Sequence, residues 1–287
     1  MSSPPDQSAV RPRPTPLRAR LLTAAALGAG VVALTLFAST TVLAAVLALF
    51  LGLAASEWAG LCGWSSSFSR TLYAVLTVAL AGVAWVALGE NDARQLVLSV
   101  SAVGWGGAAA SVILAERGRS LLPVHPLARG ALGLAVLVPL WLSVLWLHAE
   151  SPSMLLGLFA LVWIADSAAF FVGRRWGRHR LAPRVSPGKS WEGALGALLA
   201  APVVAVPLAL LPGYGLRALP ELLLLTGFAV VASVVGDLFE SQLKRQAGVK
   251  DSGTLLPGHG GVLDRIDSLT AAAPLFYWGL NLLVPRT

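Results

Sequence analysis

Charge is what this sequence has least of. Only 12% of its 287 residues are Asp, Glu, Lys or Arg, while 56% are hydrophobic; an ordinary soluble domain carries about 25% charged residues. Too little polar surface is available to cover a globule in water. That excludes a soluble protein and leaves a polytopic, all-α integral membrane protein. A single cysteine, Cys62, excludes an intrachain disulfide and any multi-cysteine metal site. Histidine is confined to His125, His148, His179 and His259. Metal binding would therefore fall to carboxylates, which suit a hard ion such as Mg²⁺. The nucleotide-binding pattern GxxxxGK[ST] is absent, as are convincing internal repeats and heptads.

What is present is a series of apolar runs of roughly 17–22 residues, a length that spans a bilayer as a helix. Nine are expected, at 21–38, 41–61, 72–89, 96–115, 130–147, 153–172, 193–212, 219–239 and 268–284. The weakest division is Ser39-Thr40-Thr41, between the first two. Residues 1–20 are rich in Pro and Arg and are expected to form a disordered basic tail. The apolar run after this tail is too long for a signal peptide. Residues 21–150 then form an N-terminal set of spans. Residues 151–287 form a C-terminal region with two polar loops, 173–192 and 240–267.

The net charge is +7 and the isoelectric point about 10.5. Because the cations sit between apolar runs, they point to anionic lipid headgroups and membrane orientation, not to nucleic acid. With nine spans and the N-terminus inside, all of the 21 Lys and Arg residues except Arg94, Arg217 and Arg286 fall on the cytosolic side. Both polar loops then face the cytosol, where nucleotides are, and the expected location is the plasma membrane.

The second of these loops concentrates chemistry. Asp237 stands at the cytosolic end of the eighth run, where a carboxylate is costly without a partner. Asp264 and Asp267 are three residues apart and share a face if helical, at a helix N-terminus that favours negative charge. Capping alone is the bland alternative, but three carboxylates flanking a Gly-rich loop favour metal binding at Asp237, Asp264 and Asp267. Lys244, Arg245, Lys250 and Arg265 can neutralise phosphates, although each could also be a membrane anchor. Gly258, Gly260 and Gly261 flank His259 and could let backbone N–H groups approach an anion, or simply form a tight turn after Pro257. In the first loop, Ser186-Pro187-Gly188-Lys189-Ser190 offers hydroxyls, a turn and an ammonium group. Asp166 and Glu57 are further acids inside apolar runs; Glu57 is the weaker candidate, explained as well by a cation on a neighbouring helix.

The stretch from Ser241 to Asp267 resembles the signature of the phosphatidate cytidylyltransferases. Its fixed positions are Ser241, Lys244, Arg245, Lys250, Asp251, Gly253, Leu256, Pro257, His259, Gly260, Gly261, Asp264, Arg265 and Asp267. Gly236-Asp237 and the run from Ala182 to Gly193 are also similar to that family, so the likeness covers roughly residues 160–284. Ser167-Ala168 stands where many members have Thr-Gly, which stiffens the helix after Asp166.

The resemblance implies transfer of CMP from CTP to phosphatidate, giving CDP-diacylglycerol and pyrophosphate in phospholipid biosynthesis. It implies Mg²⁺ or Mn²⁺ with room for a second ion, divalent or monovalent, and it leaves a homodimer open. Asp237, Lys250, Asp251, Asp264, Arg265 and Asp267 would be catalytic. Ser186, Lys189, Ser241, Lys244, Arg245, His259, Gly260 and Gly261 would bind substrates. A CTP-dependent transferase acting on another membrane lipid is the nearest alternative. A transporter is disfavoured, because transporters place charge at the bilayer midplane and often within repeated halves.

Overall fold

The computed structural model describes residues 28–89, 91–255 and 260–284. The basic tail at 1–20, and His259 with Leu256, Pro257 and Gly258, lie outside the described residues. Ten helices are traced: α1 (Gly28–Phe37), α2 (Thr40–Leu61), α3 (Ser67–Ala87), α4 (Asn91–Glu116), α5 (Pro126–Glu150), α6 (Pro152–Trp176), α7 (Trp191–Ala197), α8 (Ala200–Ala209), α9 (Leu219–Gln246) and α10 (Leu263–Leu283). Among the described residues, seven helical segments are long and apolar enough to cross a membrane. They are α2 to α6, the α7–α8 pair, and α9 with the short 3₁₀ turn Leu216–Ala218 before it.

Local chemistry explains the boundaries. Ser39 caps α2, Ser151 caps α6 and Ser190 caps α7, each accepting a backbone N–H of the first turn. Pro126 and Pro152 occupy first-turn positions of α5 and α6, where no N–H is needed. The run expected as one span at 193–212 is broken between α7 and α8. Pro202 has no N–H to offer the carbonyl of Leu198, and the backbone there tightens to i→i−3 bonds, Leu199 to Gly196 and Ala201 to Leu198.

The helical bundle expected from the sequence carries one small addition. The loop after α6 contains a two-stranded antiparallel hairpin, β1 (Arg180–Ala182) and β2 (Ser186–Ser190). The polar loops are also shorter than expected, because the helices run on. Residues 240–246 (ESQLKRQ) are good helix formers, so α9 continues to Gln246 and the chain turns only at Ala247 and Gly248, the latter with φ of 72°.

α5 is the most enclosed span, with 78% of its apolar window buried. It packs against α2 and α3 on one side and α10 on the other. α10 lies along α9 and also meets α4 and α5, joining the α2–α3–α5 group to the α6–α9 group. Side chains hold the same ends together. Gln242 of α9 bonds to Ser111 of α4, and Glu116 of α4 accepts from the backbone of the hairpin tip. At the opposite end the Arg94 guanidinium lies 5.5 Å from the Trp146 ring, and Tyr277 bonds to Glu150. The ends of α4, α6 and α9 and the start of α10 therefore gather at one face of the bundle.

Candidate active site

At that face a cavity of about 570 Å³ opens between α6, the hairpin, α7 and α9. Its lining is partly polar, with Asp166, Arg174, Arg180, Lys189, Ser190 and Asp237, and partly small and apolar, with Ala165, Ala169, Ala194, Ala197 and Val234. The mixture suits a ligand with a charged end and an apolar body.

Each polar side chain reaches the cavity through a local device. Asp237 is carried there by the close crossing of α9 and α10. A Cβ on the preceding Gly236 would come within 2.6 Å of the Asp267 carbonyl oxygen, so only glycine permits this approach. Lys189 is carried by β2, and its Nζ stands 2.6 Å from Asp237 Oδ2. Ser241, one turn along α9, donates to Asp237 Oδ1 at 3.3 Å. The hairpin is itself clamped at both ends. Glu192 accepts the backbone N–H groups of Arg178 and His179 and stands 2.6 Å from His179 Nδ1. Glu116 takes the N–H groups of Arg184 and Val185.

Beside the cavity, Lys244 is buried between two carboxylates, 3.0 Å from Glu240 Oε1 and 2.6 Å from Asp264 Oδ1. Asp264 Oδ2 accepts the backbone N–H groups of Ser252 and Gly261 at 2.9 and 2.8 Å. Both of its oxygens are thus engaged in fixing the α9–α10 connection. Burial of Asp264 opposes its charge, but the Lys244 ammonium and these N–H donors hold its carboxyl at about 2. Burial, then the Asp237 carboxylate, push Asp267 the other way, above the usual carboxylate range. Both groups precede the apolar run 268–284.

A residue ranked low on sequence grounds completes this arrangement. Glu57, in α2, accepts the N–H groups of Val262 and Leu263 at 2.9 and 2.8 Å, capping the start of α10 with a carboxylate from another helix. Ser252 Oγ stands 3.0 Å from both Glu57 Oε2 and Asp264 Oδ2, tying the two carboxylates to one loop residue. An acid inside an apolar run was the available signal. Its partner is a row of backbone N–H groups, not the cation expected.

The remaining candidates are spread over several elements. Asp166 lines the cavity within electrostatic reach of Asp237 and Lys189 and bonds to Ser268. Ser186 is half-buried on β2, opposite Ala182. Lys250 and Asp251 are exposed on the connection and Arg265 is exposed in the first turn of α10, away from the cavity lining. Gly260 lies in the connection beside Gly261. Arg245 points elsewhere, with Nε 3.4 Å from the Val185 carbonyl oxygen, in a separate cleft.

Among the described residues no three acid or histidine groups are gathered as a ready-made metal cage. The donor set nevertheless fits a hard divalent cation. Asp237 and Asp267 repel each other across the α9–α10 crossing, and Oε2 of buried Glu240 has no hydrogen-bond partner among the described residues. Mg²⁺ characteristically takes one or two protein carboxylates and completes its shell with water and substrate phosphates.

A cavity at one face of a bundle of apolar helices, lined by carboxylates, cations and small apolar residues, defines a class: a membrane protein built to handle an anionic, amphipathic ligand. Comparison with known proteins narrows it. Residues 18–283 match the cytidylyltransferase family, and the chain belongs to that family. It is 41% identical over 238 residues to a phosphatidate cytidylyltransferase of Pseudomonas aeruginosa, covering 81% of this chain and 86% of that protein. It is 43% identical over 194 residues to the phosphatidate cytidylyltransferase of Haemophilus influenzae, covering 63% of this chain and 67% of the relative. With the enzyme of that name from Brucella suis it shares 48% identity over 147 residues, 47% of this chain and 51% of the relative.

Proposed function

We propose that this protein is a phosphatidate cytidylyltransferase, joining CTP and phosphatidate to give CDP-diacylglycerol and pyrophosphate. The observation that carries the reading is the cavity in which Lys189 and Asp237 meet among small apolar residues, in a chain of the cytidylyltransferase family. The lipid phosphate oxygen attacks the α-phosphorus of CTP in line, and pyrophosphate leaves. The nucleophile is already anionic, so positioning and charge neutralisation matter more than a general base.

Asp237 and Asp267 are the residues that would hold Mg²⁺ or Mn²⁺, with Glu240 close by for a second ion. The metal would supply charge neutralisation between attacking and leaving oxygens. Asp264, expected as a third ligand, serves here by orienting Lys244 and the connection. Lys189 is neutralised by Asp237 in this structure; triphosphate oxygens offer its ammonium a stronger partner. Lys244 is held by two carboxylates; Ser186, Ser241, Gly260 and Gly261 are the further substrate-binding residues of this reading, with Lys250, Asp251 and Arg265 acting from the exposed connection and the first turn of α10, while His259 lies outside the described residues. The acyl chains stay in the bilayer against Ala194, Ala197 and Val234.

Nine spans with a cytosolic N-terminus complete the reading. α1 and α10 join the seven apolar segments, and the face bearing the cavity lies in the cytosol. The concentration of cations at that face supports this orientation. The test is purified protein incubated with labelled CTP, Mg²⁺ and a panel of phospholipids. Labelled CDP-lipid formed with phosphatidate alone is the expected result; label in another lipid, or in none, contradicts it.

A further inference from the structure

A second cleft, of about 300 Å³, lies on the same face between the end of α4, the hairpin tip and the end of α9. Three guanidinium groups line it: Arg119, Arg184 and Arg245. None of them has a carboxylate ion-pair partner among the described residues. Two of them are positioned by other contacts. The Arg184 guanidinium rests on Gly118, where a Cβ would come within 2.6 Å of Nη1. Arg245 is tethered through Nε to the Val185 carbonyl and through Nη1 to that of Val249. Ser120 and Gln246 bond to each other across the base, and Gln246 Oε1 accepts from Arg129 at 3.4 Å. All three arginines are solvent-exposed and line the same cleft. Like charges lining one cleft repel one another unless an anion fills it.

We infer that this cleft binds a phosphate group, presented by an anionic phospholipid headgroup at the membrane surface. Guanidinium groups match phosphate geometry, and three of them recognise it far better than scattered surface cations do. The α4–α5 connection favours a lipid source. Leu121 and Val124 are 59% and 87% exposed there, so apolar side chains stand beside the cleft at the level of the helix ends. The cleft is separate from the catalytic cavity but shares the hairpin with it. Val185 at the tip is held by Glu116 and Arg245, and Lys189 on β2 reaches Asp237. A phosphate bridging Arg119, Arg184 and Arg245 would brace the tip against α4 and α9 and so steady Lys189 over the cavity.

The test is binding, independent of the enzymatic reading, using full-length protein in nanodiscs of phosphatidylcholine with added phosphatidylglycerol. Native mass spectrometry would count retained phosphatidylglycerol in the wild type, Arg119→Gln and Arg119→Glu, with circular dichroism verifying the fold of each. The wild type is expected to retain phosphatidylglycerol several-fold more than Arg119→Glu, with Arg119→Gln between them. Retention that survives millimolar inorganic phosphate assigns the site to the headgroup; retention abolished by it assigns the site to soluble phosphate. Equal retention by all three proteins overturns the inference.

Discussion

Glu57 shows how one side chain can matter at a distance of about 200 positions in sequence. It accepts two backbone N–H groups at the start of α10 and meets Ser252 in the connection. Hydrogen bonds to a charged acceptor contribute about 1.5–3 kcal/mol each. Glu57→Gln should therefore loosen the 247–262 connection and lower turnover at least tenfold. Hydrogen exchange should rise in that connection while the other spans stay protected. Unchanged exchange would mean that the connection holds without it. Lys244→Met tests a different role. It leaves Glu240 and Asp264 as close, unpaired acids beside Asp267, and breaking a buried pair typically costs about 3–5 kcal/mol; a lower thermal midpoint of the detergent-solubilised protein is expected. Sequence exposed Asp237 and Lys244, because charges in or beside apolar runs demand partners. It could not show that Asp264 would be occupied by Lys244, Ser252 and Gly261, since that depends on how the connection folds back on itself.

At the scale of elements, the spans were legible because bilayer thickness sets their length and apolar runs report it. The ends were not. Charged residues from Glu240 to Gln246 read as loop, yet they form the last turns of α9, because helix propensity persists past the apolar run. The hairpin was invisible because its five-residue β2 is mostly polar or Gly and Pro, and its shape depends on Glu116 and Glu192 from other segments. The α9–α10 crossing offers a sharp test of element packing. Gly236→Ala adds a methyl group where 2.6 Å is available. Overpacking of this kind typically costs about 1–3 kcal/mol, and the separation of Asp237 from Asp267 would change with it. Reduced thermal stability with a larger fall in turnover than in CTP binding is expected; a fall in stability alone would mean the crossing does not set the acid pair.

For the whole molecule, the organising fact is asymmetry of charge along the bundle axis. The cavity, the arginine cleft and the fixed connection all lie at the face where α4 and α9 end and α10 begins. The orientation can be read with a membrane-impermeant thiol reagent on intact cells, since the native Cys62 is buried. Leu216→Cys, in the connection before α9, should be labelled from outside. Leu121→Cys, beside the arginine cleft, should be labelled only after permeabilisation. The central claim is that the acid pair at the α9–α10 crossing performs the chemistry. It is tested most directly by Mg²⁺-dependent CDP-lipid formation in Asp237→Asn and Asp267→Asn, each purified at wild-type yield. Changes in the shell supporting a metal typically cost 10–100-fold, so loss of a metal-holding carboxylate should cost at least about 100-fold. Turnover at the wild-type rate in either variant would contradict the account.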